Sequence, residues 1–229
     1  MATSDDLEVS AYLEIAEGRA SEAENEPQSV NEGIIVIDFG SQYSHLIARR
    51  IRDLKVYSEV FTASSTWETV RHINPKGVIL SGGPASVYDP GAPRIPDWVF
   101  ERDLPVLGIC YGMQALVHQL GGEVIPGQAE EYGSAVLHQD GGETSLFTEL
   151  PPTFQVWMSH GDRLATLPPC FSYLSYTENY PMAALVTGNA IFGLQFHPAV
   201  NHTPFRQSIL KHFLTLSWHL RGLLTPGHL

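Results

Sequence analysis

The stretch Gly33-Ile-Ile-Val-Ile-Asp38-Phe-Gly40 sets the strongest limit on the fold. Its β-branched run is too short for a buried helix and does not alternate apolar with polar, so it reads as a strand covered on both faces. Such a strand belongs inside a sheet that carries helices on each side. The following segments repeat the theme. A helix is expected from Tyr43 to Asp53, capped by Ser41, with Leu46, Ile47, Ile51 and Leu54 on one face. Val56 to Phe61 reads as a strand, Trp67 to Ile73 as a short helix, Gly77 to Leu80 as a third strand and Pro105 to Ile109 as a fourth. Strands alternating with helices imply a parallel sheet with right-handed crossovers, and a ligand site at the carboxyl ends of its strands.

Two loops arrive at that edge. The fourth strand runs into Gly108-Ile-Cys110-Tyr-Gly112, and a helix is expected from about Gly112 to Leu120, closed by Gly121. A nucleophile flanked by glycines at this spacing suits a strained strand-to-helix elbow that lifts the central side chain above the sheet. The helix N-terminus favours thiolate. The plainer reading of Cys110 is a buried thiol packed as a small hydrophobe, and the strand–helix context favours the nucleophile. The third strand ends in Ser81-Gly82-Gly83-Pro84 without the Gly-Lys-Ser/Thr of a phosphate loop. Gly82-Gly83 reads either as a tight turn or as a backbone donor for an oxyanion, with the Tyr111 N–H as the second donor.

Downstream, Glu123 to Leu150 reads as short strands and turns, with Asp140-Gly-Gly as a hairpin signal. Phe154 to Asp162 reads as a strand ending in a polar turn. Phe171 to Tyr176, Met182 to Val186 and Ala190 to Phe196 are further strands, the last two joined by Thr187-Gly188-Asn189. Thr203-Pro204 opens a final helix that stops at Gly222.

Charge separates the body from its leader. Residues 1–33 hold nine acids and one arginine, net −8, of the −12 carried by all 229 residues. The divisions expected are an acidic arm at 1–33, a single domain at 34–222 and a tail at 223–229. The body is near neutral, which argues against nucleic acid as a partner. No run approaches a membrane span and no signal peptide is visible. Two cysteines, Cys110 and Cys170, build neither a disulfide framework nor a metal cluster. No metal and no cofactor are expected, and a reducing, cytoplasmic location is the default.

A cysteine nucleophile needs a histidine to take and return its proton. Of ten histidines, His197 is best placed, since it ends an apolar strand and precedes Pro198. His160, in Ser-His-Gly-Asp162, is the second candidate.

Five motifs in register carry a resemblance: Asp38-Phe-Gly-Ser-Gln-Tyr43, Ser81-Gly-Gly-Pro84, Gly108-Ile-Cys-Tyr-Gly-Met-Gln114, Val156-Trp-Met-Ser-His-Gly-Asp162 and Gln195-Phe-His-Pro198. Across about 34–220 the chain resembles a class I glutamine amidotransferase domain, of the kind found in GMP synthase. The resemblance implies an α/β, flavodoxin-like fold: a mostly parallel central sheet flanked by helices, with added β-hairpins. It implies hydrolysis of L-glutamine, or a related small molecule, through a γ-glutamyl thioester on Cys110, with His197 as acid and base. Gly83 and Tyr111 would hold the oxyanion. Gln114 and a Ser159-His160-Gly161 turn would grip the substrate, and a separate synthetase subunit would accept the ammonia.

The sequence departs from this family at three places. The motif continues His-Pro-Glu in the family, whereas here it is His197-Pro198-Ala199, so the carboxylate that steadies imidazolium is missing. Three explanations are open: a natural change that weakens or alters the chemistry, an engineered one that traps a complex, or another acid, such as Asp162 or Glu178, taking its place. A pseudo-enzyme that senses glutamine or docks a partner is the reading from another class, and a repurposed cysteine-dependent enzyme acting on a different small molecule is a third. Second, Glu130 stands where the family commonly has arginine, beside the expected glutamine site. Third, the ATP-binding Ser-Gly-Gly-Val-Asp-Ser loop of a complete GMP synthase is not in the sequence, so the chain is not expected to make GMP alone.

Overall fold

The computed structural model describes residues 32–222 except 141–143, 170 and 189. The acidic arm up to residue 31, the 223–229 tail, Cys170, and parts of the Asp140-Gly-Gly and Thr187-Gly188-Asn189 turns therefore lie outside the described residues, as do the side chains of 128–131, Glu130 among them.

Nine strands form one sheet. In chain order they are β1 (Gly33–Asp38), β2 (Tyr57–Thr62), β3 (Pro75–Leu80), β4 (Val106–Ile109), β5 (Glu123–Gln139), β6 (Thr153–Thr166), β7 (Ser172–Tyr176), β8 (Ala184–Thr187) and β9 (Ile191–Leu194). The helices are α1 (Ser44–Asp53), α2 (Trp67–Val70), α3 (Trp98–Glu101), α4 (Tyr111–Gln119) and α5 (Arg206–Gly222). The spatial order is β2-β1-β3-β4-β9-β8-β7-β5-β6. Pairings from β2 through β9 are parallel, and those from β9 outward are antiparallel. The added antiparallel strands extend the same sheet.

Strand β1 behaves as its composition dictates. Ile34 and Val36 enter a core shared with Ile47 and Ile51 of α1 and Ile209, Leu210 and Phe213 of α5. Ile35 and Ile37 face the opposite way, into a second core with Val70, Trp98, Ala115 and Leu116. All four isoleucine and valine side chains are fully buried. Burying one such side chain contributes about 2 kcal/mol, which accounts for the unbroken apolar run from Ile34 to Ile37.

Three local expectations need correction. The residue at the N-cap of α1 is Tyr43, not Ser41, and it makes no side-chain cap. Asp38 instead organises the turn, its Oδ1 accepting from Gly40 N (2.9 Å), Ser41 N (3.0 Å) and Ser44 Oγ (2.6 Å). The segment after α4 is not a set of short strands. It is the 17-residue β5, paired with β6 and broken only by irregularities near Val124 and between Pro126 and Glu131. Likewise Ser159-His160-Gly161 is not a turn, because β6 runs on to Thr166. Each strand supplies the hydrogen-bond partners that keep the other extended, and this pairing is invisible locally.

The junction between β4 and α4 depends on two close approaches. A Cβ at Gly112 would lie 2.4 Å from Leu80 O, and one at Gly108 would lie 2.6 Å from Leu116 Cδ1 and 2.8 Å from Met113 N. By contrast, a Cβ at Gly161 meets nothing within 4 Å. Gly112→Ala is therefore expected to lower unfolding stability by about 3 kcal/mol, since the obstacle is backbone. Gly161→Ala should change it by less than about 0.5 kcal/mol. Urea denaturation of the two variants checks this, and equal stabilities would show that α4 can shift away from β3.

Candidate active site

Four of the parallel strands deliver their carboxyl ends to one place. β1 leads to the Asp38 turn, β3 to Ser81-Gly82-Gly83, β4 to Cys110, and β9 to Gln195-Phe196-His197. Backbone bonds tie these ends together: Ser81 N–H donates to Ile37 O (3.0 Å), Cys110 N–H to Leu194 O (2.7 Å) and Gly112 N–H to Ser81 O (3.0 Å). Ser81 is fully buried, its Oγ accepting Phe39 N–H at 3.1 Å and donating to Gly82 O at 2.8 Å.

Cys110 occupies the elbow with φ +51° and ψ −111°, the left-handed side of the map that a non-glycine residue avoids. Its Sγ lies between two partners. It donates to Ser159 O at 3.3 Å and accepts from Gln195 Nε2 at 3.5 Å. His197 is brought to the same place: a Cβ on Gly82 would touch both His197 Cε1 (3.2 Å) and Cys110 Cβ (3.6 Å). The loop carrying His197 is anchored to β6 by its own N–H on Trp157 O (3.0 Å), and by Thr203 Oγ1, which donates to His197 O (2.9 Å) and accepts Trp157 N–H (3.2 Å). The Tyr43 ring lies against the imidazole, centroids 4.9 Å apart.

Two clefts of about 320 and 490 Å³ meet at the sulfur. Cys110, Gly83 and Ser159 line both; His197 and Tyr43 line the smaller, and Gln114, His160, Gly161 and Tyr132 the larger. The sequence-predicted residues are thus brought together, with two qualifications. Tyr111 contributes its backbone N–H, which faces the thiol; its side chain turns away, donating to Pro93 O at 2.6 Å. Ala199 lines neither cleft. It is 1% exposed within the apolar core, and its carbonyl accepts from Arg50 Nε at 3.3 Å.

Burial dominates the electrostatics. It pushes the Cys110 thiol up to about 12, against the opposing pull of the Tyr111 N–H and the Gln195 amide, while Asp162 adds to the rise. His197 falls to about 4, through burial first and the neighbouring His160 second. The resting pair is therefore a neutral thiol and a neutral imidazole. No carboxylate among the described residues forms an ion pair with His197. Asp162 offers its backbone carbonyl to Gln114 Nε2 (3.2 Å) and His160 Nδ1 (3.1 Å). Among the described residues there is no cluster of metal-ligating side chains, and no helix is long and apolar enough to cross a membrane.

Sequence reasoning missed Gln195 and Tyr180. A signal for Gln195 was present, since a lone amide in the apolar run Ile191 to Phe196 must find a buried partner. Tyr180 lies between strands and carried no comparable signal.

The family model for class-I glutamine amidotransferases matches residues 35–216. The chain is 52% identical over 191 residues to a glutamine-hydrolyzing GMP synthase of Dehalococcoides mccartyi, covering 83% of this chain and 36% of that protein. It is 53% identical over 183 residues to the one of Thermomicrobium roseum, covering 80% and 34%. The chain thus spans about a third of the length of these curated relatives. Among solved structures, a Thermoplasma acidophilum protein provisionally assigned as a GMP synthase component superposes with a TM-score of 0.76 at 25% identity, covering 83% of this chain and 96% of that one. A Thermotoga maritima glutamine amidotransferase shares the fold, with a TM-score of 0.61 at 21% identity, covering 86% and 87%. The chain belongs to the class-I glutamine amidotransferase family.

Proposed function

We propose that this domain hydrolyses the side-chain amide of L-glutamine through Cys110 and His197 and passes the ammonia to a synthetase domain or subunit of the GMP synthase type. The observation that carries the reading is one cleft in which a strained thiol, an imidazole and the Gly83 backbone meet. The larger cleft beside it, lined by Gln114, Ser159, His160 and Gly161, offers the polar groups for the α-amino and α-carboxylate ends of glutamine.

In the first step the Cys110 S–H proton moves to His197 and sulfur attacks the amide carbon. The developing oxyanion takes hydrogen bonds from the Gly83 and Tyr111 N–H groups. Collapse of this intermediate expels ammonia with the proton returned by His197, leaving a γ-glutamyl thioester. His197 then draws a proton from water, which attacks the thioester; the C–S bond breaks, glutamate leaves, and the proton returns from His197 to the Cys110 sulfur. Both steps pass through imidazolium, and this is where Ala199 matters. A glutamate at this position would hold the imidazole in one tautomer and stabilise its charged form; a methyl group does neither. In a serine triad the loss of the acid costs about 10⁴ in turnover. Cysteine is more nucleophilic, so acylation suffers less than deacylation.

A second reading is favoured by the same residue. With Ala199 buried in apolar surroundings and the thiol held neutral, the domain acts as a glutamine sensor or docking module with little turnover.

Ammonia release from glutamine separates the two. Wild-type protein is expected to release ammonia slowly and Cys110→Ala none, while Ala199→Glu raises turnover by roughly ten- to a hundredfold. Inert wild-type and Ala199→Glu proteins that still bind glutamine would establish the sensor reading instead.

The buried neutral imidazole also sets a pH dependence. The folded value of His197, about 4, lies below its ordinary 6.5, so the unfolded chain binds the extra proton. The stability this contributes is present above about pH 6.5 and lost as pH falls toward about 4. Between about pH 7 and about pH 4.5, wild type should lose roughly 2 kcal/mol more than His197→Gln in urea denaturation. Equal losses would mean that folding leaves the proton affinity of His197 unchanged.

A further inference from the structure

Beneath the thiol lies a chain of hydrogen bonds that the steps above do not use. The Tyr180 hydroxyl accepts Leu164 N–H at 2.9 Å and donates to Gln195 Oε1 at 2.9 Å. Gln114 Nε2 donates to the same oxygen at 3.3 Å and to Asp162 O at 3.2 Å. Gln195 Nε2 completes the chain at Cys110 Sγ, 3.5 Å away. Gln195 is fully buried, with Tyr180 and Gln114 nearly so.

The two backbone ends fix the direction of every bond. Leu164 N–H can only donate, so the Tyr180 oxygen receives it and turns its own hydrogen toward Gln195. The Asp162 carbonyl can only accept, so Gln114 presents its NH₂ end, which also faces Gln195. The Gln195 oxygen therefore receives two donors. The flipped amide would set donor against donor at Gln114 and leave the Tyr180 hydrogen without this acceptor. What remains for sulfur is an N–H, and an N–H aimed at sulfur favours thiolate over thiol.

We propose that Gln195 is a catalytic residue whose amide N–H stabilises the Cys110 thiolate, with Tyr180 and Gln114 as the positioning residues that aim it. The proposal rests on the reading of Cys110 as nucleophile and His197 as its base. The step balances: the S–H bond breaks, an N–H bond forms on His197, sulfur keeps the electron pair, and Gln195 keeps its own proton. With no described carboxylate paired to His197, the donors on the sulfur side hold the charge-separated pair together. The other groups facing sulfur do not fill this role. Asp162 on β6 opposes the negative charge, and Ser159 O, which accepts the S–H at 3.3 Å, favours the thiol; His197 is the proton acceptor, and His160 on β6 faces Tyr180 edge-on at 4.6 Å. The Tyr111 N–H is the one further donor that lowers the thiol's pKa.

The test is alkylation of Cys110 by iodoacetamide over a range of pH, without glutamine, with the Cys110 peptide resolved by mass spectrometry so that Cys170 is not counted. Gln195→Met is expected to slow alkylation at fixed pH by about tenfold and shift the profile to higher pH. Gln195→Glu should slow it at least as much, and Tyr180→Phe roughly threefold. A purely structural role would lower the melting temperature and leave the profile unmoved. A folded Gln195→Met protein with the wild-type profile overturns the proposal. If that variant does not fold, Gln195→Glu, which keeps an oxygen for Tyr180, decides by the same criterion. Because no glutamine is present, a wild-type protein that releases no ammonia would contradict the proposed hydrolysis and still leave this result to decide for Gln195.

Discussion

The backbone of Cys110 is the constraint on which the site depends. A left-handed, non-helical residue between a strand and a helix costs on the order of 1–3 kcal/mol, and it persists only where the surroundings leave it no alternative. Here they leave none. Gly108 and Gly112 let α4 press onto β3 and β4, with Gly112 N–H on Ser81 O at 3.0 Å and Cys110 N–H on Leu194 O at 2.7 Å. These two bonds bind the ends of β3 and β9 to the elbow. The strain that lifts the thiol is the same feature that assembles Gly83 and His197 around it.

The electrostatics follow from how dry that assembly is. Cys110 and His197 are 5% and 4% exposed, so neither ion is favoured at rest. Charge must be created during the reaction rather than stored before it, and every donor that faces the developing charge gains importance in a low dielectric. On the proposed mechanism, Ala199 offers no carboxylate to support the positive partner. The remaining polar groups are arranged on the negative side: Tyr111 N–H, Gln195 Nε2 and the Gly82-Gly83 backbone. On the proposed mechanism, this asymmetry favours acylation over deacylation.

Much of the architecture was legible because it is encoded locally. The Ile34–Ile37 run, the α1 stripe through Ile47 and Ile51, and the Gly-x-Cys-x-Gly spacing each state a burial pattern or a backbone need within a few residues. The errors fall where the determining partner is distant. β5 is long because β6 pairs with it over most of its length, and Ser159 to Gly161 are extended because Tyr132 and Glu131 lie across from Ser159 and His160. The capping expectation for Ser41 is displaced locally: Ser41 Oγ accepts the N–H of Tyr43, the N-cap itself, while Asp38 holds the turn before it. Tyr180 could not be singled out, since its role comes from Leu164 and Gln195 rather than from its neighbours. Alanine at position 199 is plain in the sequence; the structure adds that no described carboxylate forms an ion pair with His197.

The central claim is that Cys110 attacks an amide carbon and does so more readily than it releases the product. Acid quenching after mixing with glutamine, followed by peptide mass spectrometry, reads this directly. The account predicts a glutamyl adduct on the Cys110 peptide that accumulates in wild-type protein and declines in Ala199→Glu as deacylation recovers. Wild-type protein saturated with glutamine and carrying no adduct, with no ammonia released, would contradict it.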